Sequence, residues 1–170
     1  MNIIPNILLI AIMVSYNDPI KKVIENYNDN YSISEIITKD ENKYDIAYGF
    51  IYMSFFTLLY EYLRNDRNSI GIILLLLIGI FGVIFTTEYK YCIFCMHSLF
   101  AIISFGSIVS YMIYHIRKRK TNILKFFLTM QFLTLVLCLY NFKFKIFFYE
   151  TSFLLFFALT YLYLHYLDFI

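Results

Sequence analysis

Six long apolar runs, almost free of charge, divide this chain: about 3–16, 46–60, 70–87, 91–115, 122–140 and 146–167. The runs are continuous rather than alternating, so they predict helices, and a bilayer core takes about 20 helical residues. Lipid tolerates only structures that satisfy their own backbone, which leaves helices or closed barrels. The composition agrees: 61% of residues are hydrophobic and only 15% charged, against roughly a quarter charged in a soluble domain. Disorder is excluded by the same numbers, and a net charge of +2 broken up by apolar runs excludes a nucleic-acid-binding surface. The expected fold is an all-α polytopic membrane bundle of about six spans.

The first run is short, and Pro5 is tolerable only near a helix start. With no basic region before it and no small-residue cleavage site after it, that run reads as an uncleaved first span. Residues 17–45 form the one substantial polar segment, with seven acids, four lysines and no cysteine. With the N-terminus inside, Lys and Arg split seven to seven across the membrane. The basic run 117–120, directly at the end of the fourth span, decides for inside. Both termini are then inside and segment 17–45 outside.

Three cysteines make no disulfide framework, since an odd count leaves one unpaired. Two of them form Cys92-Ile93-Phe94-Cys95, a C-x-x-C at the start of the fourth span. In the chosen topology this pair sits at the outer end of a helix N-terminus, where unpaired N–H groups and the helix dipole favour a thiolate. The outer face is also the oxidising side. Two other readings of the pair stand beside redox use. The cysteines can pack as small apolar residues, or they can join His97 or Cys138 in a metal site. His97, two residues from Cys95, falls on roughly the opposite helix face. Elsewhere, His115 and His165 lie near the inner end, where facing histidines can ligate haem or simply sit at the interface. Glu150 reads as snorkelling to water, Asp168 as solvated, and 117–120 as a headgroup anchor.

The run Glu88-Tyr89-Lys90-Tyr91-Cys92-Ile93-Phe94-Cys95-Met96-His97-Ser98 resembles the vitamin K epoxide reductase family, quinone-linked membrane thiol oxidoreductases with a C-x-x-C opening the fourth helix. Tyr48-Gly49-Phe50-Ile51-Tyr52 is similar to that family's start of the second helix, and Ser32-Ile33-Ser34-Glu35-Ile36 to the end of its outer loop. The resemblance covers about residues 5–120, a four-helix core, with 121–170 adding two further spans. It implies that Cys95 faces the quinone, that Cys92 exchanges disulfides with a thioredoxin-like or other thiol protein outside, and that a ubiquinone- or menaquinone-type co-substrate arrives through lipid. Where the family has a quinone-binding Asn, this chain has Asp45, which donates the same hydrogen bond only if buried and protonated. Where the animal enzymes have a Tyr four residues after the second cysteine, this chain has Leu99. Tyr48 and Tyr52 share a helix face with Asp45 at i, i+3 and i+7, positions for a ring pocket or for an interfacial aromatic belt. The family's outer-loop cysteine pair is missing, with Ile33 where one cysteine would stand. The implied activity is disulfide formation outside the membrane coupled to quinone reduction, in a bacterial plasma membrane or, in a eukaryote, the endoplasmic reticulum. The alternative is a non-catalytic membrane scaffold or complex subunit of the same shape.

Overall fold

The computed structural model describes residues 3–27, 31–86, 96–140 and 146–169. All regular structure among these residues is helical: α1 (Ile3–Glu25), α2 (Ile33–Ile37), α3 (Asp40–Leu63), α4 (Arg67–Phe85), α5 (Met96–Arg119), α6 (Asn122–Tyr140) and α7 (Ile146–Phe169). The chain is a multi-pass membrane protein. Its helices carry large apolar side chains on their outer faces, among them Ile10, Val14, Ile51, Phe55, Ile78 and Ile102, a surface that water would penalise and lipid accepts.

Every long helix but α6 extends at one end or both past the apolar run that announced it. The run of α1 ends near residue 16, yet the helix continues to Glu25 with Pro19 inside it. Proline removes one backbone hydrogen bond and crowds the preceding turn. Its ring is seated against α3, where a Cβ on Gly49 would lie 2.6 Å from Pro19 Cγ. Only glycine leaves room for that seat. The short helix α2 begins in a capping box: Glu35 N–H donates to Ser32 Oγ at 3.0 Å and Ser32 N–H to Glu35 Oε2 at 2.7 Å.

The helices pack as antiparallel neighbours, α1 on α3, α4 on α5 and α6 on α7, with α3–α4 and α5–α6 joining the pairs. The turns from α3 to α4 and from α5 to α6 are tight. Asn65 (φ 55°) and Lys120 (φ 53°) take the left-handed conformation that ends a helix. The closest approach is between α4 and α5. A Cβ on Gly79 would lie 2.5 Å from Ser104 Oγ and 2.8 Å from the Ser104 backbone nitrogen, and one on Gly82 would enter the Phe100 ring. Small residues at such a crossing let helices meet where no hydrophobic effect drives them together.

Among the described residues, five helices are long and apolar enough to cross a membrane: α1, α4 and α5 entire, Lys43–Leu63 of α3 and Phe147–Phe169 of α7. The expected fifth span, 122–140, is α6, whose apolar stretch Asn122–Leu137 is shorter. Yet α5 and α7 both finish at the same end of the bundle, where Arg119 and Asp168 pair, so α6 traverses the bundle between them. Gln131, fully buried in α6, steadies this crossing by donating from Nε2 to the Phe153 carbonyl of α7 at 3.1 Å. The core is continuous through the bundle: Phe153, Tyr161 and Leu164 of α7 belong to the same buried cluster as Ile46, Ile73, Ile108 and Met112.

Candidate functional site

Antiparallel packing gives the bundle two chemically different ends. At one end Thr86 meets His97, whose Nδ1 lies 3.2 Å from the Thr86 carbonyl oxygen, and Glu150 Oε2 accepts from the Ile33 N–H at 2.6 Å. Glu150 is therefore engaged by a backbone amide of α2. Residues 87–95 connect Thr86 to Met96, so Cys92 and Cys95 lie outside the described residues. Cys138 is in α6, but its side chain is likewise not described.

The remaining residues expected at a quinone site are described. Asp45, Tyr48 and Tyr52 share an exposed face of α3, and Leu99 is exposed on α5. Asp45 is ion-paired with Lys22 Nζ at 3.3 Å, and its side chain is 63% exposed. The burial that a proton-donating Asp45 requires is not present.

The opposite end holds a polar cluster that the hydropathy pattern did not reveal. Glu61 is fully buried on α3 and Arg64, one turn later, is nearly so. Arg64 Nη1 donates to Glu61 Oε1 at 3.0 Å, and its Nε and Nη2 reach Asp168 Oδ2 on α7 at 3.0 and 2.6 Å. Tyr111 of α5 donates to Glu61 Oε1 at 3.0 Å, and Ser69 of α4 donates to Glu61 Oε2 at 2.5 Å. Arg119 completes the Asp168 pairing. Asp168, expected to be solvated, has a side chain only 9% exposed, because the last turn of α7 folds it onto Arg64 and Arg119 rather than into water.

Two satellites flank this core. Tyr60 meets His165 Nδ1 at 2.7 Å, and His165 Nε2 meets Asn6 Oδ1 at 2.8 Å, tying α3, α7 and α1 together. Both ring nitrogens of His165 are thus committed, which leaves none to serve as a haem ligand. Asp66 caps α4 by accepting from the Ser69 N–H at 3.2 Å, and it also receives Lys118 Nζ at 2.6 Å and Tyr114 at 2.8 Å. Beside them opens a cleft of about 350 Å³, lined by Arg64, Asp66, His115, Lys118, Arg119 and Asp168 among others. Among the described residues no group of three or more His, Cys, Asp or Glu side chains is arranged to hold a metal ion.

Charge decides the chemistry of this end. Seven basic residues (64, 67, 117–120 and 125) gather here against three acids. Burial alone would lower the pKa of Arg64, but Tyr111 and Glu61 beside it push the other way and win, so the guanidinium stays charged. Burial likewise raises Asp66, but the bonds from Lys118, Tyr114 and Ser69 outweigh it and hold the carboxyl down at about 2. A carboxyl depressed in the folded state adds stability above its unfolded pKa, and that stability is lost as pH falls through the folded value. Asp66→Asn keeps a capping side chain but loses the charge, so it is expected to cost about 2 kcal/mol at neutral pH. The gap between variant and wild type should close as pH falls from about 4 to 2, read by thermal unfolding in detergent. A gap that does not change with pH would refute the assignment.

The signal for this cluster was present but faint. Glu61 and Arg64 stand at i, i+3 just beyond the second apolar run, a spacing that brings them together on one helix face. Compared with known proteins, the chain matches no family model, no curated protein and no solved structure.

Proposed function

We propose that the chain is a membrane thiol–disulfide oxidoreductase with Cys92 and Cys95 as its working pair, passing electrons to a quinone. The observation that supports this reading is topological. Thr86 and His97, which flank residues 87–95, meet at the end of the bundle opposite the basic run 117–120. By the positive-inside rule that is the outer, oxidising end. In the reaction, two thiols become the Cys92–Cys95 disulfide, and their two electrons and two protons convert a quinone to a quinol. The disulfide then oxidises a partner dithiol: one partner thiolate attacks Cys92 and Cys95 leaves as a thiolate, and the partner's second thiol resolves the mixed disulfide, returning both cysteines as thiols. Tyr48, Tyr52 and Leu99 are exposed on faces open to lipid, the route by which an isoprenoid quinone arrives. The membrane in this reading is a bacterial plasma membrane, or the endoplasmic reticulum in a eukaryote, with a thioredoxin-like protein as the outer partner.

A second reading, a non-catalytic membrane scaffold, is favoured by one observation: Asp45 is exposed and held by Lys22 instead of being buried for a quinone carbonyl. One experiment separates the two. Reduced protein carrying Cys138→Ala is mixed anaerobically with a menaquinone or ubiquinone analogue, and free thiols are followed by alkylation and mass spectrometry. Rapid, quinone-dependent loss of both thiols, abolished by Cys95→Ala, is the result expected of the enzyme. Thiols that remain reduced would transfer the case to the scaffold.

A further inference from the structure

The cleft beside the ionic cluster contains one group that the cluster does not satisfy. His115 is 1% exposed, lines the cleft, and its Nδ1 has no hydrogen-bond partner. Its Nε2 lies 3.3 Å from Ser69 Oγ. The hydrogen bonds around Ser69 assign the tautomer. Ser69 gives its hydroxyl hydrogen to Glu61 Oε2, on the carboxylate whose other oxygen receives Arg64 Nη1. Towards His115, Ser69 Oγ is therefore the acceptor, so Nε2 carries the hydrogen and Nδ1 of the neutral ring keeps its lone pair. A buried acceptor without a donor is costly, and its natural complement is a hydroxyl.

The rest of the cleft wall selects what carries that hydroxyl. Lys118 and Arg119 are only partly buried, at 46% and 33% exposed, and their heads stand at the rim on Asp66 and Asp168. Both acids have other donors besides these two, Tyr114 and Ser69 on Asp66 and Arg64 on Asp168. Either cation can therefore turn to a ligand without leaving its carboxylate bare. With the surplus of bases at this end, the wall suits an anion. A volume of about 350 Å³ lies within the range of small-ligand sites.

We propose that this cleft binds a phosphate group that carries or adjoins a hydroxyl. The phosphate oxygens accept from Lys118 and Arg119, and the hydroxyl donates to His115 Nδ1. Two sources present this chemistry, a phospholipid with a hydroxylated headgroup such as phosphatidylglycerol, and free hydrogen phosphate. The site lies at the opposite end of the bundle from the C-x-x-C and stands whether or not the chain is a thiol oxidoreductase.

The test uses the full chain in detergent. Binding of phosphatidylglycerol and phosphatidylpropanol is measured by native mass spectrometry, and stabilisation by inorganic phosphate by thermal unfolding. Phosphatidylpropanol has the same anionic phosphodiester without the headgroup hydroxyls, so the expected preference for phosphatidylglycerol is about fivefold, the worth of one hydrogen bond. His115→Phe should erase that preference. Lys118→Gln, at a half-exposed position that leaves the fold intact, should weaken both lipids alike. Stabilisation of the wild type by inorganic phosphate, lost in Lys118→Gln, with no added effect of lipid, assigns the site to a soluble phosphate and also supports it. Equal binding of the two lipids without a phosphate effect overturns the proposal. So does a preference undiminished by His115→Phe, or lipid binding that Lys118→Gln does not weaken.

Discussion

Arg64→Leu is expected to remove about 3–5 kcal/mol of stability, the range seen when one member of a buried ion pair is deleted. The side chains of Glu61, Arg64 and Asp168 are 0%, 3% and 9% exposed, and Arg64 is the cation both carboxylates share. Without it Glu61 keeps only the hydroxyls of Tyr111 and Ser69, and a buried carboxylate facing two neutral donors is poorly compensated. Arg64→Lys should be nearly as damaging, since an ammonium cannot reach both carboxylates through a planar fork. Glu61→Leu combined with Arg64→Leu should recover much of the loss, because removing both charges also removes the desolvation penalty. Thermal or denaturant unfolding in detergent across this double-mutant cycle reads the coupling. If Arg64→Leu unfolds no more easily than wild type, the cluster is not buried as described.

The second large effect belongs to the crossing of α4 and α5. Gly82→Ala is expected to cost about 1–3 kcal/mol, because its Cβ enters the Phe100 ring. Phe100→Ala in the same chain should restore most of that loss, since a side chain is the obstacle. Gly79→Ala differs in kind. Its Cβ would meet the Ser104 backbone nitrogen at 2.8 Å and the Phe100 carbonyl oxygen at 3.0 Å as well as the Ser104 hydroxyl. No side-chain deletion removes a backbone clash, so Ser104→Ala should rescue Gly79→Ala only in part. Gly79→Val should drive the helices apart at a cost near 3 kcal/mol or more, seen as lost yield of folded protein after detergent extraction. Equal rescue at both positions would contradict this geometry.

These residues show what the sequence reveals and what it conceals. Hydropathy is a property of stretches, so the crossings of the bundle were legible from continuous apolar runs. Their ends were not: runs stop at the first charges, whereas helices continue into water, as α1 does past Asp18 and Pro19 and α3 past Tyr60. Glu61 fell just outside its predicted span for that reason, and its burial depends on Tyr111, 50 residues away, and on an Arg64 held by Asp168, 104 residues further along the chain, which no local pattern encodes. The capping box of Ser32 and Glu35 was readable in principle as S-x-x-E before an apolar pair. The cysteine pair was legible as a motif, but motif spacing carries no information about the shape of a quinone pocket. Tyr48 and Tyr52 share a face as their spacing requires, yet whether a face meets lipid or protein is set by neighbouring helices.

The fastening of α7 bears on how the bundle is made. Membrane helices enter the bilayer in the order of synthesis, and α7 is the last of those described. Before it arrives Arg64 has Glu61 but not Asp168, Tyr60 lacks its imidazole, and Asn6 of the first helix lacks its own. The other long helices, α1 and α3 to α6, can thus be in place while the interior remains electrically and sterically unfinished. Docking of α7 then joins the earliest helix to the latest, and a chain stalled before that step would expose unmatched polar groups to lipid, a ready mark for surveillance proteases.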